Sequence, residues 1–477
     1  MRPRHVLSLD GSSRSISPSR TRGVSVSLLD RYLCVAYSSL SGSFPLSVIV
    51  RMKKGIASTC WSRGRDPHGL PRVAGLVDCD IAVVGLGGTG LSVLEELRAL
   101  LPAARLVGVD RSTIAAGAAG GNGGFLLAGM HKFHHDAIAW LGRSCAATIY
   151  TSTLQEMARQ EAWRLGGSSA PTMRRVGSLR IASTAGELDD CRAHYLSLKK
   201  DKFPAEWYRG PEGEGVLVPS DGSFHPVRHH WARARRLLSG SRAAGTGGAS
   251  QERSLRLFGG FDVPSISPET GVGVMSPSGT IELCPRGGAS GGRPRLRCRQ
   301  LVIAVDGKLD SLVPALQPDV YSVRLQMAST APTSDVTLPR PVYRRWGYDY
   351  WQQLPDRSIA IGGFRDRLGD AENTHSTKPT SKCQRLLDEC LRNDLKVAAR
   401  VTHRWAASVG FTKSELPVLD EVYPAVWAVG AFNGTGNIIG SCYGRALAEK
   451  IATGRSSSLF TTVTKLKKQH GGQFRFF

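Results

Sequence analysis

The sequence predicts an α/β protein in which a parallel, helix-flanked sheet is joined to a smaller region of antiparallel sheet. Residues 81–84 and 301–305 form short, uncharged runs rich in β-branched residues, which is typical of parallel strands buried on both faces. Residues 342–353 and 358–364 flank the turn Leu354-Pro355-Asp356-Arg357, which indicates an antiparallel hairpin. These patterns predict the α/β class with an α+β second part.

A glycine motif directly follows the first buried strand. Gly85, Gly87 and Gly90 occupy the glycine positions of G-x-G-x-x-G, and Gly88 lies between them. A leucine-rich helix comes next, so its first amide groups lie beside the motif, as they do where phosphates bind. The following strand ends at Asp110, at the position where an acidic residue accepts a ribose hydroxyl. The segment is therefore predicted to bind a dinucleotide.

Two later glycine-rich stretches belong with this motif. Residues 117–124 contain five glycines, and such density suits backbone that lies against a flat cofactor, although a disordered linker is the alternative. Gly434, Thr435 and Gly436 precede the last long helix of the core. The N-terminus of a helix presents about half a positive charge, which stabilises an anion placed there.

The remaining elements follow from hydrophobic periodicity and from turn residues. Residues 239–300 are rich in Gly, Ser and Arg and predict a β-meander with enlarged, mobile loops near 240–253 and 285–297. The other predicted elements are helices at 137–166, through Leu188 and Leu198, after Pro226 and at 381–400, and strands at 177–182 and 426–430.

The net charge of +23 is concentrated in loops and at the chain ends. Residues 1–77 carry 12 basic and 3 acidic residues, and residues 455–477 carry 5 basic and no acidic residues. No compact basic stripe with interleaved aromatic residues accompanies them, so nucleic-acid binding is not expected. No apolar run approaches the roughly 20 residues of a membrane-spanning helix, so no membrane span is expected.

The first 77 residues are predicted to be an extension outside the fold. They are rich in Arg and Ser and lack periodicity, as is typical of a mitochondrial or plastid transit segment. The alternative is a chain that starts at Met52 and a cytoplasmic protein.

The motifs, in their order along the chain, resemble those of the FAD-dependent oxidoreductases of the D-amino-acid oxidase-like (DAO) group. This group includes glycine oxidase, sarcosine oxidase and γ-glutamylputrescine oxidase. The resemblance covers about residues 78–454. The matching stretches are GLGGTG at 85–90, GAAGGNGGF at 117–125, GSLRIA at 177–182, FHPVR at 224–228, LVIAVDG at 301–307, WGYDYWQQLPD at 346–356, GGFRD at 362–366 and FNGTGNIIG at 432–440.

The resemblance implies a Rossmann-like FAD-binding domain interleaved with a smaller antiparallel-sheet substrate domain. The FAD-binding domain would comprise residues 78–176, 226–320 and 405–454, the substrate domain residues 177–225 and 321–404, and residues 455–477 a basic tail. FAD would be held without a covalent bond. The residues that would hold it are Gly85, Gly87, Gly88, Gly90, Asp110, Asn122, Gly123, Gly124, Ala304, Gly434, Thr435, Gly436 and Asn437.

Candidates for the chemistry come from the aromatic strand of the hairpin. Alternation along a strand would put Trp346, Tyr348 and Tyr350 on one face, where they would form a wall that orients an amine. The alternative is that these aromatic residues pack into a core. Arg324 is the main candidate for a substrate carboxylate, and Arg365 and Arg404 are the others.

Several residues depart from the family pattern. Lys413, Ser414 and Glu415 replace its usual Pro, Asp and Gly, Asp420 stands where Gly is usual, and Asp306 replaces an Asn. These departures bear on positioning near the flavin rather than on FAD binding.

A histidine cluster precedes the helix predicted at 137–166. His131 and His135 would share a helix face beside His134 and Asp136, but no third ligand or glutamate base accompanies them. A solvated helix start or loop is favoured, and no metal site is predicted.

The sequence therefore predicts a FAD-dependent oxidoreductase that oxidises a C–N bond of an amino acid or amine by hydride transfer to the flavin. Its partners would be that small substrate and oxygen or another electron acceptor. Two alternatives remain open, a flavoprotein domain that modifies tRNA and a FAD-binding protein with impaired catalysis.

Overall fold

Twenty strands and ten helices make up the part of the chain that the computed structural model describes, residues 59–64, 69–168, 170–239, 254–286 and 294–470. These residues lie within one compact unit, Gly55–Phe477. The strands are β1 Leu76–Asp78, β2 Ile81–Val84, β3 Leu106–Val109, β4 Phe125–Leu126, β5 Met173–Arg174, β6 Ser178–Ile181, β7 Glu206–Gly210, β8 Gly213–Val218, β9 Gly222–Phe224, β10 Leu255–Phe258, β11 Ile281–Leu283, β12 Arg295–Cys298, β13 Gln300–Ile303, β14 Val320–Thr330, β15 Val342–Arg344, β16 Asp349–Gln353, β17 Ile359–Gly363, β18 Val401–Thr412, β19 Val418–Tyr423 and β20 Val426–Gly430. The helices are α1 Gly88–Leu100, α2 Ala118–Gly121, α3 His134–Leu141, α4 Arg143–Ala162, α5 Ala185–Lys200, α6 Pro226–Ser239, α7 Leu309–Leu312, α8 Ser381–Glu389, α9 Gly436–Thr453 and α10 Ser458–His470.

A six-stranded sheet forms the first layer, in the order β10-β3-β2-β13-β20-β19. Its first five strands run parallel, and β19 pairs antiparallel with β20. Every residue of β2 and β3 is buried, as their uncharged sequences require. The predicted α/β class is thus confirmed. The strands come from the three separated segments expected of the cofactor domain, whose boundaries stay a prediction.

The second large sheet has eight strands in the order β18-β14-β17-β16-β15-β6-β8-β7. Its pairs are antiparallel except β15 with β6. The predicted hairpin is present as β16 and β17. Residues 342–353, however, were predicted as a single strand and form two, β15 and β16. Arg345–Gly347 forms a 3₁₀ turn that separates β15 from β16.

Three other predicted elements differ from the structure. The helix predicted at 137–166 is divided into α3 and α4 by Gly142, whose φ is 80°. The helix predicted at 381–400 ends at Glu389 and is followed by a π turn, Cys390–Asp394.

The predicted β-meander is also wrong, because β10 pairs in parallel with β3 and β12 pairs in parallel with β1. Among the described strands of this region β11 and β12 pair antiparallel, and two isolated antiparallel bridges, Ser267–Val272 and Met275–Ile281, lie beside them. Residues 240–253 and 287–293 of the predicted loops lie outside the described residues.

Both ends of the described chain pack into the core, contrary to expectation. Trp61 is only 2% exposed and β1 joins a three-stranded sheet, so the prediction that residues up to 77 lie outside the fold is wrong for these residues. Residues 1–58 and 65–68 of the predicted transit segment lie outside the described residues.

At the other end, the predicted basic tail forms α10, which buries Leu459, Phe460, Val463 and Leu466. Among the described residues, no helix combines the length and apolar character needed to cross a bilayer.

Candidate active site

A cavity of about 850 Å³ lies between the carboxyl ends of the parallel strands and the inner face of the eight-stranded sheet. This volume falls within the ~300–1,000 Å³ that is usual for ligand pockets. Val84 and Ala304, at the ends of neighbouring parallel strands, contribute to one side. Ligands of open α/β sheets bind at this edge.

Most of the residues predicted to hold the cofactor line this cavity. Gly90 and Gly124 do not. A Cβ atom on Gly90 would lie 1.9 Å from the Gly85 carbonyl oxygen, so this glycine lets α1 approach β2, as its place in the motif requires. The residues that do line the cavity are Gly85, Gly87, Gly88, Asp110, Asn122, Gly123, Ala304, Gly434, Thr435, Gly436 and Asn437.

The first glycine turn requires glycine at position 85 and is held by Asp110. Gly85 has a φ of 102°, and a Cβ there would lie 2.3 Å from the Ala304 carbonyl oxygen. The Asp110 carboxylate accepts hydrogen bonds from the Leu86 amide at 3.1 Å and the Ser112 amide at 2.8 Å. Burial raises the pKa of Asp110, while these amides act in the opposite direction. Asp110 therefore fixes the turn as well as lining the cavity.

The second glycine loop turns an unpaired amide to a ligand. The carbonyls of Gly121, Asn122 and Gly123 all accept side-chain hydrogen bonds, whereas the amide N–H group of Gly123 has no acceptor among the described residues. Buried or half-buried amides without an acceptor are uncommon in native structures. This donor therefore fits a cofactor with polar edge atoms, as the predicted flavin has.

The N-terminus of α9 closes another side of the cavity. Thr435 donates its hydroxyl to the Phe432 carbonyl at 3.1 Å, so its side chain does not cap the helix. The Asn437 side-chain Nδ2 donates to the Phe125 carbonyl at 2.8 Å and to the Asn122 side-chain oxygen at 3.3 Å. The helix start is thereby tied to the glycine loop, and its partial positive charge faces the same cavity.

A single transverse row of the eight-stranded sheet forms the opposite wall. Strand register places Tyr343 opposite both Arg180 and Tyr350, and continues the row through Gly362 and Met327 to Trp405. All of these except Gly362 line the cavity. A Cβ on Gly362 would lie 2.5 Å from the Tyr350 ring, so glycine leaves room for that ring.

Phe125 joins the two tyrosines of the row. Its ring centroid lies 4.8 Å from that of Tyr343 and 5.7 Å from that of Tyr350. The hydroxyls of both tyrosines have no hydrogen-bond partner among the described residues. Burial raises the pKa of each, so both phenols are protonated at neutral pH and act as donors rather than bases.

The predicted alternation of Trp346, Tyr348 and Tyr350 along one strand is wrong, although all three residues line the cavity. Trp346 has a φ of 54° and is 47% exposed at the rim. Its backbone amide donates to Glu187 at 2.7 Å and its indole to Asp190 at 2.8 Å, both on α5. Of the three, Tyr350 alone belongs to the transverse row.

Arg324, predicted to bind a substrate carboxylate, does not line the cavity in the described structure. It forms a buried ion pair with Glu372, and Arg404 pairs with Asp388 on the sheet's other side. Arg365 does line the cavity and lies 5.0 Å from the Tyr348 ring.

Arg180 was not among the site residues predicted from the sequence. It stands within the matching stretch 177–182, but only the pairing of β6 with β15 shows that it faces the site.

Four of the five residues that depart from the family pattern have side-chain partners. Asp306 accepts hydrogen bonds from the Gly410 amide at 3.1 Å and the Ala431 amide at 3.0 Å. Glu415 has a φ of 59° and pairs with Lys132 at 2.8 Å beside the cavity. Ser414 bonds to Asp319, and Asp420 pairs with Lys467.

The histidine cluster lies at a helix start, but His134 is not solvated. Its Nε2 lies 2.7 Å from Asp201, and the side chain is buried. His131 lines the cavity, and among the described residues no group of three or more potential ligands is placed to hold a metal ion.

Comparison with known proteins identifies the family. The profile of DAO, described as FAD dependent oxidoreductase, matches residues 80–450. The probable oxidoreductase OrdL of Rhizobium meliloti is 23% identical over 410 residues, which are 82% of this chain and 86% of that protein.

Solved structures share the fold. Glycine oxidase from Geobacillus kaustophilus has a TM-score of 0.57 at 18% identity, covering 80% of this chain and 96% of its own. L-amino acid deaminase from Proteus myxofaciens has a TM-score of 0.60 at 13% identity, covering 82% and 94%. The family profile covers most of the chain, and the glycine turns, the loop amide and the helix start surround one cavity. This chain therefore belongs to the DAO family of FAD-dependent oxidoreductases.

Proposed function

We propose that the protein oxidises the C–N bond of an amino acid, with FAD as the immediate electron acceptor and oxygen or another acceptor receiving the electrons afterwards. The observation that carries the proposal is Arg180, a cation that forms no ion pair among the described residues and stands in the transverse row with Tyr343 and Tyr350. It lines the same cavity as the glycine turns.

Arg180 is placed to receive an anion. Its Nε is buried without a hydrogen-bond partner. Its charge is felt by the buried Asp221 carboxylate, whose pKa it lowers, but the two side chains form no ion pair among the described residues. The guanidinium instead lies 5.5 Å from the Phe133 ring and 5.8 Å from the Tyr343 ring. A buried polar group without a partner is costly, and guanidinium binds carboxylate through two parallel hydrogen bonds. A substrate carboxylate would supply the missing acceptors.

The neighbouring tyrosines would orient the rest of the substrate. Tyr343 and Tyr350 offer two protonated hydroxyls beside Arg180, so they can hold polar groups of a bound amino acid without removing a proton. Flavin, when bound, accepts a hydride and needs no nucleophile from the protein. These side chains would therefore bind and orient the substrate and exclude water from it.

The relatives support the same substrate class. Glycine oxidase and L-amino acid deaminase are, by their names, enzymes that act on amino acids.

The cavity also contains charged residues other than Arg180, among them Glu415, Lys132 and Arg365.

Anaerobic titration tests the proposal. The FAD-loaded protein is mixed with amino acids and with the amines that lack only their carboxylate, and bleaching of the flavin absorbance is followed. We expect reduction by at least one amino acid at concentrations where its decarboxylated counterpart is inert. Reduction by amines alone would contradict the carboxylate subsite, and no bleaching by any member would favour a FAD-binding protein with impaired catalysis.

Substitution of single arginines tests which of them binds the substrate carboxylate. Arg180→Met removes the charge and keeps much of the side-chain volume, and a charge-assisted hydrogen bond is worth ~1.5–3 kcal/mol. The dissociation constant of the reactive amino acid should therefore rise about 10- to 100-fold. Arg404→Met is the matched control, since Arg404 is paired with Asp388 outside the cavity, and should bind as the unmodified protein does. If Arg365→Met weakens binding instead of Arg180→Met, the carboxylate binds at the other arginine.

A further inference from the structure

Three consecutive carbonyls of the glycine loop are held by side chains from three separate parts of the chain. Each accepts a hydrogen bond from a side-chain N–H group, and none of the three donors is near the loop in sequence. The pairs are Trp405 Nε1 to the Gly121 carbonyl at 2.8 Å, Trp61 Nε1 to the Asn122 carbonyl at 2.9 Å, and Gln352 Nε2 to the Gly123 carbonyl.

These bonds determine the direction of the loop's amides. A trans peptide unit is planar, so its C=O and N–H groups point in opposite directions. The described chain has no cis peptide. The Asn122 carbonyl points to Trp61, so the Gly123 N–H in the same peptide unit points away from it. That N–H has no acceptor among the described residues, and Gly123 lines the cavity.

Trp61 is itself fixed in place. It is 2% exposed, and its ring meets the His225 ring edge-on at 5.1 Å. A Cβ on Gly124 would lie 3.3 Å from the tip of the indole, so the glycine allows this close approach. Thr59, two residues earlier, accepts the Trp61 amide at 3.2 Å and reaches the cavity wall.

We propose that Trp61 is a positioning residue of the cofactor site, which aims the Gly123 amide at a hydrogen-bond acceptor of FAD. The segment that carries it, Thr59 to Gly64, is then part of the site although it precedes the dinucleotide-binding motif by more than twenty residues. The inference depends on the family's cofactor and not on the proposed substrate.

The substitution Trp61→Phe in the full chain tests this role, because it removes the N–H donor and keeps an aromatic ring. A neutral hydrogen bond is worth ~0.5–1.5 kcal/mol, so the dissociation constant of FAD from the apoprotein should rise about 2- to 10-fold. Trp207→Phe is the matched control. Its indole donates to Glu214 at 3.1 Å on the edge of the eight-stranded sheet, and the residue does not line the cavity.

Two readouts separate positioning from packing. FAD affinity is measured by quenching of flavin fluorescence, and the melting temperature of the apoprotein reports stability without cofactor. The proposal requires weaker FAD binding in Trp61→Phe but not in Trp207→Phe, at a comparable apoprotein melting temperature. Unchanged FAD affinity, or a loss no larger than the control's, would overturn it.

Hydrogen exchange keeps the proposal testable if the variant fails to fold. In the unmodified protein, FAD should slow exchange in the peptide that contains Asn122 and Gly123. No added protection there on FAD loading would contradict the proposal. Neither measurement uses turnover, so failure here and failure of the proposed amino-acid oxidation are distinguishable.

Discussion

Arg324 and Glu372 form a two-point ion pair, in which Nε–Oε2 and Nη2–Oε1 are both 2.8 Å. The side chains are 10% and 3% exposed. Gln326 donates to the same carboxylate, and Arg324 also donates to the Ala371 carbonyl at 3.1 Å. The pair therefore joins β14 to the turn around residue 372 and serves the structure rather than the substrate.

Arg324→Met should destabilise the protein by about 3–5 kcal/mol, because it leaves the Glu372 carboxylate buried without its cation. The free energy of unfolding in urea measures this. Arg404→Met breaks a more exposed pair and should cost at most about 1 kcal/mol. Replacing both partners, as in Arg324→Met with Glu372→Leu, should recover part of the loss. A single Arg324 variant as stable as the control would contradict the structural role.

Two glycines of the first motif should respond differently to substitution. Gly87→Val should abolish FAD binding while the fold is retained, since Gly87 lines the cavity and an added Cβ meets only the Ala119 methyl group at 3.2 Å. Gly85→Ala should destabilise the fold itself, because its φ of 102° and the Ala304 carbonyl exclude a side chain.

Flavin content and circular dichroism distinguish the two losses. Gly186→Ala is the control, because a Cβ there has no neighbour within 4 Å among the described residues and the residue does not line the cavity. Gly87→Val protein that retains flavin would contradict the assignment of the motif.

Asp221 should make stability depend on pH in an unusual direction. Burial raises its pKa to about 6, and its oxygens accept hydrogen bonds from Ser178 at 2.7 Å and the Ala128 amide at 2.9 Å. Its pKa is higher in the folded than in the unfolded state, so its contribution is present at low pH and is lost as pH rises through about 6.

Asp221→Asn keeps the hydrogen-bonding shape and removes the titration. The melting temperature of the unmodified protein relative to the variant should therefore increase when the pH is lowered from 7 to 4.5. A difference that is constant over this range would show that Asp221 does not titrate there.

The sequence predicted the dinucleotide-binding part well because its signals are local. The strand, glycine turn, helix and acid from Ile81 to Asp110 depend on residues close together in the chain, and the structure brings them together as expected. Ala304 and the Gly434–Asn437 stretch were reached through the resemblance and also line the cavity.

The substrate side of the cavity was harder to predict from the sequence, because its wall depends on strand pairing between distant segments. Arg180 faces Tyr343 only because β6 pairs in parallel with β15, and no periodicity within either strand shows this. The turn at Arg345 and Trp346, both with positive φ, breaks the alternation that the aromatic spacing suggested. Trp61 was missed because a single buried tryptophan in a stretch without periodicity has no sequence signal of its own.

Substrate binding and the midpoint potential of the flavin should depend on different sides of the cavity. Tyr350 lies in the row with Arg180, with a hydroxyl that lacks a partner among the described residues, whereas Gly436 begins the helix on another side of the cavity. Tyr350→Phe should weaken binding of the reactive substrate about 2- to 10-fold through loss of one hydrogen bond, and should leave the midpoint potential of the flavin unchanged.

Gly436→Ala places a methyl group 2.9 Å from the Phe432 ring, so the helix start must shift. Since the helix dipole stabilises negative charge regardless of which substrate supplied the electrons, this variant should lower the potential and slow reduction by unlike substrates equally. Potentiometric titration and stopped-flow reduction with two amino acids measure the two effects. A changed midpoint potential in Tyr350→Phe, or unequal slowing of the two substrates in Gly436→Ala, would contradict the separation of substrate binding from stabilisation of the reduced flavin.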